Sequence, residues 1–467
     1  MSAAPAPPTT LELLARYDRP GPRYTSYPTA VEFGPDFGEA EFRARLEAAD
    51  ALADAPLSLY AHLPFCEERC LFCGCNVVIT KHHGVADRYL DHVIREIDLL
   101  ARHLPRRRRL AQLHWGGGTP TYYGEADLER LFEAFRERFT FTPEAEIAIE
   151  VDPRVTTDGQ ITTLRRLGFN RLSLGVQDFD PRVQETVHRI QSAEMTRALV
   201  DHARREGFGS INVDLIYGLP RQTAEGFGRT LEQIVAMRPE RVAVYSFAYV
   251  PWIKPHMKML PQEELPGPAD KLRLFGLAID AFTAAGYRQI GMDHFAVPED
   301  ELARAVENRR LHRNFMGYTV QAATDMIGLG ITAIGDLRGA FVQNVKKLPD
   351  YYAALAQGRF PVERGKALDA DDVIRRDVIL QIMCNFHLDL RALESRHGIV
   401  FADYFATALA ELTGPDSPAA HGLLEVTPDV LRVTPRGRLF VRNIAMAFDR
   451  YLRRHHTEER PTFSRTV

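Results

Sequence analysis

The segment HLPFCEERCLFCGCN (62–76) holds four of the five cysteines, Cys66, Cys70, Cys73 and Cys75, within ten positions. Disulfide scaffolds spread their cysteines through small secreted domains, whereas this chain has 467 residues and only Cys384 outside the cluster. Zinc sites pair two knuckles or add nearby histidines. Here the spacing is three, then two, then one, and no second knuckle follows. Iron–sulfur clusters are held by thiolates in short irregular runs of this kind. That reading leads, with zinc and inert buried thiols as the alternatives. A CxxxCxxC run supplies three thiolates from one loop, leaving one iron of a four-iron cluster open to a small molecule.

A second pattern is HWGGGTPT (114–121). Glycines ending a strand expose backbone amides and carbonyls to a ligand, and they serve a tight strand-to-helix turn equally well.

These residues need a frame. Short apolar runs, LSLYAHLP (57–64), LAQLHWGGG (110–118), EIAIEVDP (146–153), RLSLGVQ (171–177), INVDLIYGLP (211–220) and RVAVYSFAYV (241–250), alternate with amphipathic segments. Six strands, each followed by a helix, predict an α/β fold with a parallel sheet curled into a full or partial barrel, an open doubly wound sheet being the competitor. Cys66, Gly116 to Thr119, Glu150, Gln177 and Asp214 fall at the carboxy ends of these strands, the rim where barrels build active sites. The expected organisation is an N-terminal arm (1–50), a catalytic barrel with extensions (51–365) and a mainly helical C-terminal domain (366–467). The last carries a strand-like hairpin at 423–441. It could form a winged helix, with an accessory or lid role favoured over DNA binding for want of a basic stripe.

A net charge of −4 gives no electrostatic reason to expect nucleic acid. PRRRRL (105–110) reads as a solvated loop entering a strand, or as a dock for an acidic partner such as an electron donor. No run approaches the ~20 apolar residues of a membrane span. MSAAPAPPTT reads as a disordered lead-in rather than a signal peptide, so a cytoplasmic location is expected.

The CxxxCxxC loop after the first strand resembles the radical S-adenosylmethionine (SAM) enzymes. The resemblance narrows with RPGPRYTSYPTAVEF (19–33), HWGGGTPTYY (114–123), EVDPR (150–154), LSLGVQDFD (172–180), NVDLIYGLP (212–220), IGMDHFA (290–296), RNFMGYT (313–319) and IGLGITAIG (327–335). In this order, up to the tail FSRTV, they look like the oxygen-independent coproporphyrinogen III oxidases, also called coproporphyrinogen III dehydrogenases. The fold that this implies is a partial (β/α)6-type radical SAM barrel.

By that resemblance Cys66, Cys70 and Cys73 ligate a [4Fe-4S] cluster. Tyr60, Phe72, Gly117, Glu150 and Ile334 hold the reactive SAM. Gly118, Thr119, Gln177, Arg189, Asp214 and Ala248 fall on a second SAM site. Glu and Asp can accept from ribose hydroxyls and Arg can clamp a carboxylate. Cys75 and Tyr60 are the expected catalytic residues. The implied reaction is oxidative decarboxylation of two propionates of coproporphyrinogen III to vinyl groups, giving protoporphyrinogen IX in haem biosynthesis. Arg23, Arg309, Arg310 and Arg313 are candidates for meeting the propionates. The implied partners are this substrate and a reduced, flavodoxin-like electron-donor protein, with no nucleic acid, no membrane and a monomeric state. A haem-binding protein on the same scaffold, a radical SAM enzyme with another substrate and a winged-helix regulator are the competing readings.

Overall fold

The computed structural model describes residues 9–321, 325–452 and 463–466. Residues 1–8 of the lead-in expected over 1–10 and the last residue of FSRTV lie outside them, whereas Thr9 caps and Thr10 opens a helix.

Six parallel strands carry the fold: β1 (Leu57–Leu63), β2 (Arg109–Gly117), β3 (Thr140–Val151), β4 (Arg171–Gln177), β5 (Ser210–Tyr217) and β6 (Arg241–Ser246). They pair in sequence order, each followed by a helix. A seventh parallel strand, β7 (Asp325–Leu329), pairs with the other edge of β1. From there the sheet continues antiparallel through β8 (Ile334–Leu337), β9 (Ala340–Asn344) and β10 (Val362–Ala367). Beyond β6 it ends in two short antiparallel strands, His294–Ala296 and Arg288–Gln289. The two ends do not pair, so the barrel is partial.

Side chains alternate faces along a strand, and these strands use both. In β4, Leu172, Leu174 and Val176 are buried, while Ser173, Gly175 and Gln177 between them are half-buried. In β5, Ile211, Val213 and Leu215 alternate with Asn212 and Asp214 in the same way. The apolar set packs in the continuous cores between sheet and helices. Of the other set, Ser173, Asn212 and Asp214, with Gln112, His114, Glu146, Glu150, Arg171, Arg241 and Tyr245, line a polar bore. A one-residue register slip would turn the polar set into the apolar core, so the alternation fixes the pairing.

The first helices serve different cores. α1 (Thr10–Tyr17) joins the C-terminal core through Leu13, with Tyr24 and Tyr27 after it. α2 (Glu39–Asp50) joins the barrel core through Phe42, Leu46 and Ala49. The C-terminal region is mainly helical around a three-stranded antiparallel sheet, His387–Asp389, Val430–Val433 and Leu424–Val426. The hairpin read from sequence therefore ends at Val433. Arg436–Phe440 and Val441–Met446 are helical and bury Phe440, Val441 and Ile444 in that core.

PRRRRL is not a solvated loop throughout. Arg107 is 1 % exposed and donates to Asp325 at 2.5 Å and to the carbonyls of Ala55 and Pro56. Arg106 pairs with Asp50 at 2.9 Å. These residues tie the start of β2 to β7 and α2.

Candidate active site

The cysteine loop leaves the carboxy end of β1 and is fixed from several sides. The Thr80 N–H donates to the Cys66 carbonyl at 3.1 Å, and the Leu71 N–H to the Val187 carbonyl at 2.9 Å. Two residues not anticipated from sequence hold its far side. Lys254 Nζ donates to the Cys75 carbonyl at 3.0 Å, and His256 Nε2 lies 2.9 Å from the Cys73 carbonyl. Leu71 and the partly buried Phe72 pack with Val183, Val187 and Phe247.

Cys66, Cys70, Cys73 and Cys75 open into one cavity of about 190 Å³. Burial pushes the Cys66 thiol up to about 11. The neighbouring Cys75 thiol holds the Cys73 thiol below its ordinary value, against the upward push of burial. Two guanidinium groups face Cys70 Sγ, Arg154 at 3.6 Å and Arg189 at 3.7 Å. Among the described residues no three His, Cys, Asp or Glu side chains converge closely enough for a single metal ion. Three thiols spaced around a volume, with fixed positive charge behind one of them, fit an anionic thiolate-bound cluster better than a mononuclear site.

Opposite the thiols lies the glycine turn. Gly117 has φ +114°, and a Cβ there would meet the His62 ring at 2.5 Å. On Gly118 it would meet the Pro64 carbonyl carbon at 2.6 Å. Only glycine brings the backbone this close to β1. The Gly117 N–H donates to Glu150 Oε2 at 3.0 Å, and His114 Nε2 faces Oε1 at 3.4 Å. Burial pushes the Glu150 carboxyl up, but these two partners outweigh it and hold the carboxyl below the ordinary value.

β4 and β5 supply the third wall. Gln177 ends β4 with φ +71°, beside a register shift against β5. Arg189, 7 % exposed, donates to Asp152 at 3.0 Å and to the Gly175 carbonyl at 2.6 Å. Its Nε is buried without a hydrogen-bond partner among the described residues. Part of the fork expected to clamp a ligand carboxylate is thus committed to Asp152. Burial pushes Asp152 up, but Arg189 and Arg154 hold it below the usual aspartate value. Asp214 accepts from Asn212 at 2.8 Å, and burial lifts its carboxyl to about 7.

Of the residues expected from sequence, the four cysteines, Phe72, Gly117, Gly118, Thr119, Glu150, Gln177, Arg189 and Asp214 line this one cavity. Tyr60 stands beside it on β1, its ring stacked on His114 at 5.8 Å and its hydroxyl 3.1 Å from His62 Nδ1. Ala248 lies just past β6 and Ile334 opens β8, where its carbonyl packs on Gly328, the partner of Tyr60 across β1 and β7. Neither of these two belongs to the lining. Glu150, Ser173 and Asp214 also line the polar bore, so cavity and bore are contiguous. Ser173 and Asn212 were readable as inward positions of their strands.

The chain matches the Radical SAM superfamily over residues 60–234 and the HemN C-terminal domain over residues 368–440. It is 47 % identical, over 98 % of both chains, to the oxygen-independent coproporphyrinogen III oxidase of Escherichia coli (strain K12). This chain belongs to that family. A second member, from Synechocystis sp., is 45 % identical over 98 % of this chain and 97 % of its own. Among solved structures, that of Escherichia coli coproporphyrinogen III oxidase, described as a radical SAM enzyme, superposes with TM-score 0.88 at 46 % identity. It covers 92 % of this chain and 97 % of its own. The family therefore spans both the barrel and the helical C-terminal region.

Proposed function

We propose that the chain is an oxygen-independent coproporphyrinogen III oxidase, an oxidoreductase that converts two propionates of coproporphyrinogen III to vinyl groups and yields protoporphyrinogen IX. One observation carries the reading. A single cavity unites the cluster-spaced thiols, the Gly117–Glu150 turn and the Gln177, Arg189 and Asp214 set, in a chain that matches these enzymes over 98 % of its length. When bound, the [4Fe-4S] cluster and SAM supply one-electron cleavage of the sulfonium, and with it a carbon radical able to take a hydrogen atom.

The chain's own residues do the rest. Cys66, Cys70 and Cys73 hold the cluster, and Cys75 stays off it, since a fourth thiolate would close the open iron. Gly117 and Gly118 would present bare backbone to the methionine end of SAM beside Phe72, with Tyr60 and Ile334 outside the lining. Glu150, already anchored on Gly117, accepts from a ribose. Gln177, Arg189 and Asp214, with Gly118 and Thr119, line what would be a second SAM site, with Ala248 outside the lining. The helices behind the sheet and the loops at its rim exclude water from the reacting carbons. Each propionate loses one β-hydrogen, one carbon dioxide and one electron, the last to an external acceptor.

The barrel (51–365) does this chemistry, with the arm (1–50) and the C-terminal domain (366–467) flanking it. A reduced flavodoxin-like protein donates electrons to a cytoplasmic monomer, without nucleic acid or membrane as partner. Among the described residues no helix is long and apolar enough to cross a membrane.

Anaerobic turnover of coproporphyrinogen III with SAM and a reductant tests the reading. It expects vinyl product together with 5′-deoxyadenosine. Tight porphyrin binding without either product would instead mark a haem-binding protein. Asp214→Ala tests the second site: SAM per cluster should fall while the cluster spectrum is unchanged. Equal SAM stoichiometry and turnover would make Asp214 structural.

A further inference from the structure

Positive charge outnumbers negative at the carboxy-terminal rim of β5 and β6. Lys271, on the helix Pro268–Ala284, lays its stem on Gly218, where a Cβ would come within 2.9 Å of Lys271 Cε. Its ammonium donates to the Phe247 carbonyl at 3.4 Å and stands 5.9 Å from the Tyr217 ring centroid. Arg23 reaches the same rim from the N-terminal arm. It donates to the Ser246 carbonyl at 3.4 Å and lies 5.8 Å over the Tyr245 ring. Arg442 comes from the C-terminal region and is held by backbone, donating to the carbonyls of Pro22 at 2.9 Å, Arg465 at 3.1 Å, Thr466 at 3.2 Å and Gly21.

The carboxylates do not balance these cations. Arg23 faces Asp293 at 3.3 Å. Lys271 and Arg442 have no carboxylate within ion-pair distance among the described residues. Burial, with Arg23, Arg442 and Arg465 nearby, pushes the Lys271 ammonium down to about 8, and Asp18 only partly opposes this. Burial and Arg23 push Arg442 to about 9. Partly desolvated cations without a carboxylate counter-charge are costly, and a bound anion relieves that cost. Tyr245, beneath Arg23, lines the bore beside Asp214, so an anion here would border the site already described.

We propose that Lys271 and Arg23 form a carboxylate-binding subsite that anchors one propionate of the tetrapyrrole. The inference rests on the proposed function, because a substrate with four propionates keeps two of them through the reaction. Those two are handles that can orient the rings without being consumed. Lysine meets such a handle as a point charge, and arginine as a fork. The other arginines expected from sequence are placed differently. Arg309 meets His387 at 2.9 Å, Arg310 is exposed, and Arg313 is buried 4.9 Å over Tyr318.

The test compares wild type, Lys271→Met, Lys271→Arg and Arg23→Gln as full-length, cluster-loaded enzymes. Binding of coproporphyrin III and of its tetramethyl ester, which lacks the carboxylates, is followed by fluorescence quenching. Wild type should prefer the acid by about tenfold or more, the scale of one charged hydrogen bond. Lys271→Met and Arg23→Gln should lose most of that preference and raise KM for coproporphyrinogen III about tenfold, with kcat changed less. Lys271→Arg should restore most of it. Iron content and SAM cleavage without substrate should stay at wild-type levels, which also reports folding. If both charge-removing variants keep the acid preference and KM, the cations are packing groups and the subsite is wrong. If wild type makes no vinyl product, the proposed function falls, while the acid-against-ester comparison still decides the subsite.

Discussion

Glu150 and Gly117, 33 residues apart, are joined by a 3.0 Å hydrogen bond that ties the carboxy ends of β3 and β2 together at the cavity. The bond exists because Gly117 adopts φ +114° beside the His62 ring, where a β-carbon would not fit. Gly117→Ala should therefore cost about 2–4 kcal/mol, from left-handed strain and overpacking together, and abolish SAM binding. Gly276→Ala is the control. That glycine sits in the helix Pro268–Ala284 with nothing within 4 Å of a Cβ, so it should gain up to about 1 kcal/mol. Thermal unfolding and SAM titration read both, and equal behaviour of the two variants would contradict the role of the turn.

The cluster assignment separates the five cysteines into three groups. Cys66→Ala, Cys70→Ala and Cys73→Ala should each remove most bound iron and all SAM cleavage. Cys384, 1 % exposed in the helix Ala370–Asn385, has its thiol pushed by burial up to about 12. Cys384→Ser should keep the cluster and cost about 1–3 kcal/mol from burying a hydroxyl. Cys75→Ser should keep full iron and an unchanged cluster spectrum but lose much of the decarboxylation. Iron loss as complete as in Cys70→Ala would make Cys75 a ligand.

Much of the barrel is legible in the sequence because period-two strands end in glycine and polar residues. RLSLGVQ occupies the same seven positions as β4. Ends are less legible: RVAVYSFAYV stops being strand at Ser246. The apolar RLFV run at 438–441 lies in consecutive helical turns, which four residues cannot distinguish from a strand. Charge runs hide their partners. Arg107 looks solvated in PRRRRL, yet its carboxylate lies 218 positions away. Lys254 and His256 escaped notice for the same reason, since they hold backbone carbonyls 179 and 183 positions upstream. Lys271 carries no motif at all, and only the fold brings it to Arg23.

Glu96 makes a pH prediction away from the cluster. It is 2 % exposed on the helix His83–His103 and accepts from the Gly330 N–H at 2.7 Å, Asn344 Nδ2 at 2.8 Å and Tyr351 Oη at 2.6 Å. Burial lifts its carboxyl from 4.5 to about 7. The folded chain thus keeps a proton that the unfolded chain releases above about 4.5. Its contribution to stability is greatest below that pH, declines as pH rises to about 7, and is constant above. Urea unfolding at pH 5 and pH 7.5 should show wild type losing roughly 2 kcal/mol relative to Glu96→Gln between the two. A constant difference would mean that Glu96 folds ionised at both values.

On the proposed function, this cavity directs hydrogen-atom removal from a propionate β-carbon. The most direct measurement uses coproporphyrinogen III deuterated at the propionate β-positions, turned over anaerobically with SAM and a reductant. Deuterium should appear in the 5′-deoxyadenosine, with one molecule of it for each vinyl group formed. Vinyl product accompanied by unlabelled 5′-deoxyadenosine would contradict this.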